Sequence, residues 1–249
     1  MINKVNFIGI PVDAITMQET LDLIDKAIIS KSQIHHTVIN AGKVVSMQDD
    51  AELLKSVIEA DLINADGQSI IWAAKLLGLM IPERVAGIDL MEKLVEKSYK
   101  DNYKCFFFGA EDKVVKEVVR KYSLKYSKNI IAGFRNGFYE KNDEKIIVNQ
   151  IKESNPDFLF VAITSPKKEI FLNKYKEELK NISFIMGVGG SFDVISGKTK
   201  RAPVFMQKLG LEWFYRFLQE PQRMWKRYLF GNIQFMYLVV KNIFRGNYQ

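Results

Sequence analysis

The chain has 249 residues, of which 47% are hydrophobic, and its formal net charge is +7. A chain of this length can bury a core in one domain, or in one domain with an appendage. One cysteine rules out a disulfide scaffold, and two adjacent histidines with one cysteine rule out a structural zinc site. No run of about 18 uninterrupted apolar residues predicts a membrane span, and the N-terminus shows no secretion-signal pattern.

Short apolar runs alternate with amphipathic segments along the first 203 residues. Strand patterns cover residues 5–10, 34–39, 61–64, 104–108, 129–133, 157–163 and 184–188. Helical patterns lie between them, over residues 16–28, 44–57 with a break near 49–50, 69–77, 89–99, 113–126, 144–153 and a segment ending near 179. We expect Pro11 to close the first strand, and Asp89 to cap a helix. This alternation predicts an α/β fold whose mostly parallel sheet is covered by helices on both faces.

The ends of the predicted strands carry polar residues and glycines. In an open parallel sheet, the loops at the carboxyl ends of the strands line the ligand crevice. The groups expected to converge on that mouth are Asn40, Asp66, Gly109, Gly137, Lys168 and the run from Gly189 to Asp193. Because they come from separate strands, their convergence is a stronger argument for a site than any one of them.

The stretch from Phe184 to Pro203 contains the most informative local pattern. A buried strand runs into Gly189 and Gly190, and a glycine turn that leads from a strand into a helix presents N–H groups to phosphate. Asp193 follows at a spacing suited to ribose. The dinucleotide fingerprint GxGxxG fails, because Phe192 takes the place of the third glycine. A tight structural turn with a solvated basic face is the alternative.

The positive charge is concentrated in the tail. From Lys198 onward there are ten Lys and Arg against two Glu, a net charge of +8, so the preceding residues are near neutral. Arg223, Lys226 and Arg227 share one helix face, and an aromatic-rich apolar stripe follows from Leu229 to Phe244, a pattern typical of membrane interfaces. The alternative is a final helix packed on the core or on a second copy in a homo-oligomer. Nucleic acid is not expected as a partner, because motifs for groove reading or base stacking are absent.

Seven segments together carry a family resemblance. They are Ile39–Ala41, Asn64–Gly67, Glu83–Leu90, Phe107–Ala110, Ser165–Glu169, Met186–Pro203, and Leu209–Arg216 with Glu220–Pro221. In this order they resemble the WecG/TagA/CpsF family, glycosyltransferase family 26, over about residues 7–227. The resemblance implies a Rossmann-like α/β core, here residues 1–203, and a helical C-terminal appendage, residues 204–249. It also implies a cytoplasmic protein whose appendage docks peripherally on the anionic inner face of the cell membrane.

The resemblance further implies an inverting, metal-independent hexosyltransferase without a cofactor. Such an enzyme would move a sugar, N-acetylmannosamine in the first instance, from a UDP-sugar to polyprenyl-diphosphate-linked GlcNAc in teichoic-acid or other surface-polysaccharide synthesis. One alternative is transfer of glucose or a uronic acid in exopolysaccharide synthesis, and another is a non-catalytic, membrane-docked, UDP-binding scaffold. The chain has no Asp-x-Asp motif, the usual metal-bridging signature. Lys168 stands where members of the family often have glutamine. Val38 stands where the teichoic-acid branch has threonine.

The resemblance also implies roles for individual residues. Asp66 matches the general base, with a helix N-cap as the alternative role, and Asp89 is its rival as the base. Arg84 would counter the charge of departing UDP, unless it forms a structural ion pair with Glu83 or Asp89.

The remaining site residues are expected to bind substrate. Asn40 would orient the sugar or acceptor, with structural hydrogen bonding as the alternative. Gly137 and Phe138 would hold uracil, unless Phe138 packs against the core. Asp193 would bind the ribose or cap a helix, and Lys168 would bind a donor phosphate or a uronate. The diphosphate would meet the N–H groups of Gly189, Gly190 and Ser191 and the tail arginines Arg216, Arg223 and Arg227. Binding of lipid headgroups is the alternative role of these arginines.

Overall fold

The computed structural model of the chain describes residues 3–245, without the side chains of residues 208, 223–229 and 245. The strands are β1 Lys4–Phe7, β2 Ile10–Asp13, β3 Ile34–Ile39, β4 Leu62–Ala65, β5 Cys105–Gly109, β6 Ile131–Arg135, β7 Phe158–Ala162 and β8 Phe184–Gly187. The helices are α1 Met17–Ser30, α2 Ala41–Asp49, α3 Ala51–Ile58, α4 Gln68–Leu76, α5 Gly87–Asp101, α6 Asp112–Lys125, α7 Glu144–Glu153, α8 Lys167–Tyr175, α9 Ser191–Ser196, α10 Val204–Lys208, α11 Glu212–Gln219 and α12 Pro221–Arg245.

Strands β3 to β8 form one parallel sheet in the order β4-β3-β8-β7-β5-β6. Side chains on a strand alternate between the two faces, so consecutive phenylalanines of β5 enter different layers. Phe107 packs with Val115 and Val118 of α6, whereas Phe106 and Phe108 pack in the cluster that contains helices α7 and α8. The predicted α/β fold, with helices on both faces of a parallel sheet, is therefore confirmed.

The first strand of the chain differs from the prediction. Residues 4–13 form an antiparallel hairpin, with Phe7 opposite Ile10 and Pro11 inside the second strand opposite Asn6. The turn residues Ile8 and Gly9 both have positive φ, 52° and 84°, as a two-residue hairpin turn requires. A β-branched residue rarely adopts that conformation, so the sequence predicted Ile8 as part of a strand.

Capping residues set where the observed helices begin and end. Thr16 and Glu19 form the capping box of α1. The predicted break near residue 50 is confirmed, because Asp50 ends α2 and its side chain caps α3. The expected cap at Asp89 is wrong, since α5 begins two residues earlier and its N-cap residue, Ala86, makes no side-chain cap.

The final helix is two-faced. Phe235 and Val239 of α12 are 3% and 1% exposed and belong to the core cluster that contains Phe7 and Val44. The other face leaves apolar side chains in solvent: Phe230, Ile233, Met236, Tyr237, Val240, Ile243 and Phe244. Packing on the core, one of the sequence alternatives, thus accounts for one face only. Among the residues that the structure describes, no helix combines the length and apolar character needed to cross a bilayer.

Candidate functional site

The predicted mouth lies at the carboxyl edge of the sheet. Asn40 follows β3 and caps α2, its side chain accepting a 3.0 Å hydrogen bond from the Lys43 N–H. Asp66 follows β4, and its N–H donates to the Ile39 carbonyl at 2.8 Å. A Cβ built on Gly67 would lie 3.8 Å from that of Asn40. Adjacent strands therefore bring Asn40 and Asp66 together, as the sequence predicts.

Asp66 has the electrostatic character of a base. Although part of the residue reaches solvent, burial raises the pKa of its carboxyl to about 6. The Arg84 charge, the Lys43 charge and a hydrogen bond from the Gly87 N–H lower this pKa, and the Glu212 charge raises it. The alternative role as the cap of the following helix is not observed, because the N-cap residue of α4 is Gly67 and makes no side-chain cap.

Arg84 pairs with a residue of the tail. Its guanidinium donates to the carboxylate of Glu212, the first residue of α11. Burial opposes the charged form, but Glu212, Asp66 and Asp89 together raise the pKa of Arg84. The alternative, an ion pair of Arg84 with Glu83 or Asp89, is not observed. Glu83 accepts a hydrogen bond from the Met17 N–H, and Asp89 pairs with Arg201 at 2.7 Å.

The glycine turn after β8 contacts a second tail residue. Gly189 has φ +52°, and Gly190 is the N-cap residue of α9. A Cβ on Gly190 would lie 2.5 Å from Nη2 of Arg216, so the α11 guanidinium rests directly on the turn. Ser191 donates its N–H (3.2 Å) and its hydroxyl (2.7 Å) to the Val188 carbonyl. Of the three predicted phosphate donors, Ser191 is therefore engaged within the turn.

Asp193 lies in the first turn of α9, and Gly190 rather than Asp193 is its N-cap residue. One Asp193 carboxylate oxygen is 3.7 Å from Nζ of Lys198, which also binds Glu111 at 2.7 Å. The carboxylate is partly exposed. This arrangement leaves it accessible to a ligand at the carboxyl edge of β8.

The neighbouring strand ends supply glycines and one aromatic ring. Gly109 has φ +131°, and a Cβ there would collide with the Ala162 backbone. The Gly137 N–H donates to the Ala110 carbonyl at 2.8 Å, which brings the β5 and β6 loops together. Phe138 is 72% exposed. The alternative that Phe138 packs against the core is therefore wrong, and its ring is accessible.

A buried charge cluster underlies the mouth. Nζ of Lys43 and Nζ of Lys168 lie 2.7 Å and 2.6 Å from the same oxygen of Glu169, and Lys43 also donates to the Thr37 hydroxyl at 3.2 Å. Burial alone would raise the pKa of Glu169, but the two lysines lower it to about 2. Lys168 lies against Gly187 at the end of β8. Lys43 was not predicted as a site residue. Its only signal in the sequence is a lysine one turn beyond the Asn40 cap.

The side chains of Arg223 and Arg227 lie outside the described residues, so their predicted phosphate contacts stay predictions. Within the described part of the chain, no three His, Cys, Asp or Glu side chains are placed to hold a metal ion. Metal independence likewise remains an expectation from the resemblance.

Comparison with known proteins adds a family and two relatives. The family model described as "Glycosyl transferase WecG/TagA/CpsF family" matches residues 5–249. A Bacillus spizizenii protein named N-acetylglucosaminyldiphosphoundecaprenol N-acetyl-beta-D-mannosaminyltransferase is 37% identical over 170 residues, 68% of this chain and 65% of the relative. A Bacillus subtilis protein of the same name is 37% identical over 180 residues, 72% of this chain and 69% of the relative.

Proposed function

The chain belongs to the WecG/TagA/CpsF glycosyltransferase family, and we propose that it transfers N-acetylmannosamine from a UDP-sugar to polyprenyl-diphosphate-linked GlcNAc. The names of the two Bacillus relatives support this donor sugar and this acceptor. The main support for this proposal is the arrangement of three side chains. A carboxylate with a raised pKa, Asp66, lies at the same sheet edge as two arginines, Arg84 and Arg216.

The proposed reaction divides the charge between these groups. Asp66 takes the proton of the acceptor hydroxyl, and the hydroxyl oxygen forms a bond to the anomeric carbon from the face opposite the leaving group. The bond from that carbon to the diphosphate breaks, and its electron pair leaves with UDP. Arg84, Arg216 and the Gly189–Gly190 turn stabilise the negative charge that develops on the diphosphate.

The same proposal distributes the donor along the mouth. Phe138 and Gly137 hold the uracil, and Asp193 accepts hydrogen bonds from the ribose. The diphosphate lies over the β8 turn, near Lys168, and Asn40 orients the sugar next to Asp66. The uracil thus lies at the β6 side of the mouth and the sugar at the side of β3 and β4, the opposite edge of the sheet.

Transfer should depend on pH through Asp66. The ionised carboxylate is the base, and its fraction increases as the pH rises through about 6. We therefore expect kcat/KM to fall about tenfold for each pH unit below this value and to reach a plateau above it. A pH–rate profile with UDP-N-acetylmannosamine measures this limb. A rate that stays flat between pH 5 and pH 7 would contradict the assignment of Asp66.

We also propose that the tail binds the cytoplasmic face of the cell membrane peripherally. The exposed stripe on α12 is apolar, and the adjoining sequence is basic. Apolar side chains enter the acyl boundary, whereas each Lys or Arg near anionic lipid contributes about 1 kcal/mol. A homo-oligomer that covers the same stripe is the alternative.

Ile233→Ser should weaken binding to vesicles containing anionic lipid by about tenfold, because an apolar side chain contributes about 1.5 kcal/mol or more on burial. The matched control is Leu124→Ser on α6, another exposed apolar side chain away from the tail. Vesicle sedimentation measures the affinity, and light scattering measures the mass of the protein. Unchanged vesicle binding, together with dissociation of an oligomer, would support the second copy instead.

The decisive test of the proposed function is transfer itself. The full chain is incubated with single UDP-sugars and a synthetic prenyl-diphosphate-GlcNAc, and products are identified by mass spectrometry. We expect a product containing N-acetylmannosamine, and UDP release only when the lipid acceptor is present. UDP binding without transfer of any sugar would favour the scaffold alternative, and preference for UDP-glucose or a uronic-acid donor would replace the sugar.

A further inference from the structure

Glu212 lies between two core arginines. One of its carboxylate oxygens forms an ion pair with Arg84, and the other lies 3.9 Å from Nε of Arg201. Arg84 belongs to the segment that leads into α5, and Arg201 to the segment between α9 and α10. Glu212 itself is the first residue of α11. A single tail carboxylate thus meets guanidiniums from two separate segments of the core.

Arg201 has core partners of its own. Its Nη2 is 2.7 Å from Asp89, and its Nη1 is 3.8 Å from Glu92, both on α5. Arg84 faces Glu212, Asp66 and Asp89. The Arg84 charge is therefore shared between the tail carboxylate and the proposed base, so loss of the tail carboxylate would leave Asp66 as a nearby competitor for the guanidinium.

Taking the proposed function as the premise, we propose that Glu212 is a positioning residue that couples docking of α11 to the Asp66–Arg84 pair. When α11 is docked, Glu212 holds the guanidinium toward the tail side of the mouth, where the diphosphate departs. By pairing with Arg84, Glu212 also offsets the stabilisation that the Arg84 charge gives to the ionised Asp66 carboxylate. Asp66 is therefore a stronger base. Arg216, four residues later on the same helix, reaches the β8 turn in the same docked arrangement. Docking of one short helix thus arranges both arginines and adjusts the base.

The charged groups around Asp66 set the direction of the expected change. Arg84 precedes α5, Lys43 lies on α2 and Glu212 on α11, while the Gly87 N–H comes from the start of α5. Burial is the largest cause of the raised pKa of the Asp66 carboxyl. Among these four groups, only the Glu212 charge raises this pKa further, and the other three lower it. Removing the Glu212 charge should therefore lower the pKa of Asp66.

Glu212→Gln in the full chain tests the coupling. We expect the acid limb of kcat/KM to move down by about one pH unit and the plateau rate to fall. Glu212→Asp retains the charge and should restore the wild-type limb, although its carboxylate is one methylene shorter. Glu153→Gln at the exposed end of α7 makes the same change in net charge and should leave the profile unchanged.

A direct titration keeps the proposal testable if Glu212→Gln is too slow to assay. The substrate-free protein is labelled with ¹³C-carboxyl aspartate, and the Asp66 resonance is assigned from its loss in Asp66→Asn. A downward shift of the Asp66 titration in Glu212→Gln supports the coupling, whether or not any sugar is transferred. The same midpoint in both proteins would overturn it, as would a slower enzyme with an unmoved acid limb. Absence of transfer by the wild type would count against the proposed function alone.

Discussion

Asp66→Asn should lower the rate of sugar transfer by about 10²–10⁴-fold, the contribution usual for a positioned general base. Asparagine has nearly the same shape as aspartate but cannot take a proton from the acceptor hydroxyl. UDP binding should persist, because the proposed diphosphate contacts come from Arg84, Arg216 and the Gly189–Gly190 turn. Single-turnover transfer and UDP affinity, measured on the same preparation, separate the chemical step from binding.

The same substitution should stabilise the folded chain at neutral pH. Burial raises the pKa of Asp66 to about 6, so the ionised carboxylate is favoured less in the folded state than in the unfolded state. Asparagine removes that penalty above pH 6, and its advantage disappears in acid, where the carboxyl of Asp66 is protonated in both states. We expect a higher Tm at pH 7.5 and little change in Tm at about pH 3, below the ordinary pKa of an aspartate.

Asp50→Asn is the matched control for this pair of measurements. It makes the same exchange of a carboxylate for an amide at the cap of α3, where asparagine also caps well. Its rate and Tm should stay near the wild-type values. An Asp66→Asn protein that transfers sugar at more than about a tenth of the wild-type rate would remove Asp66 from the role of base.

Arg216→Gln should lower the plateau rate by about 10²–10³-fold, because a donor that stabilises charge developing in the transition state is lost. The α11 guanidinium rests on Gly190, where the proposed diphosphate lies. The ground-state affinity for UDP should fall much less than the rate. Arg120→Gln, which removes a surface ion pair with Glu117, is the matched control and should have no effect on transfer.

Gly190→Ala provides an independent route to the same contact. Gly190 has φ −74°, an ordinary value for alanine, so the substitution adds no backbone strain. Its Cβ would occupy space 2.5 Å from Nη2 of Arg216 and displace the guanidinium. Gly190→Ala should slow transfer in the otherwise wild-type protein. It should cause no further loss in a protein that already carries Arg216→Gln. Fully additive losses would show that the glycine and the arginine act separately.

The proposed boundary at residue 203 has a physical consequence for truncation. Cutting the chain near Gly210 would remove Arg216 and Glu212, so we expect transfer to be lost. It would also uncover the core side chains that α12 covers, including Phe7, because Phe235 and Val239 pack in the same cluster. Point substitutions in α11 therefore separate the role of the tail in the site from its role in packing.

The sequence was sufficient for the features that depend on near neighbours. The alternation of apolar runs and amphipathic segments predicted the parallel sheet and its helices. The strand ends predicted that Asn40 and Asp66 would meet, and the ordered family segments predicted the glycosyltransferase family. Periodicity failed at Ile8, because the turn needs a backbone conformation that the residue type disfavours.

Tertiary structure decided the electrostatic arrangement of the site. Arg84 and Glu212 are 128 residues apart, and the sequence around neither residue indicates that the other is its partner. Sequence neighbours of Arg84 were the natural candidates for its partner, yet Asp89 binds Arg201 instead. Likewise, the pattern of α12 predicted an apolar stripe but not which part of it the core would cover. Ion pairs and helix faces depend on how distant segments dock, and that geometry exists only in the folded chain.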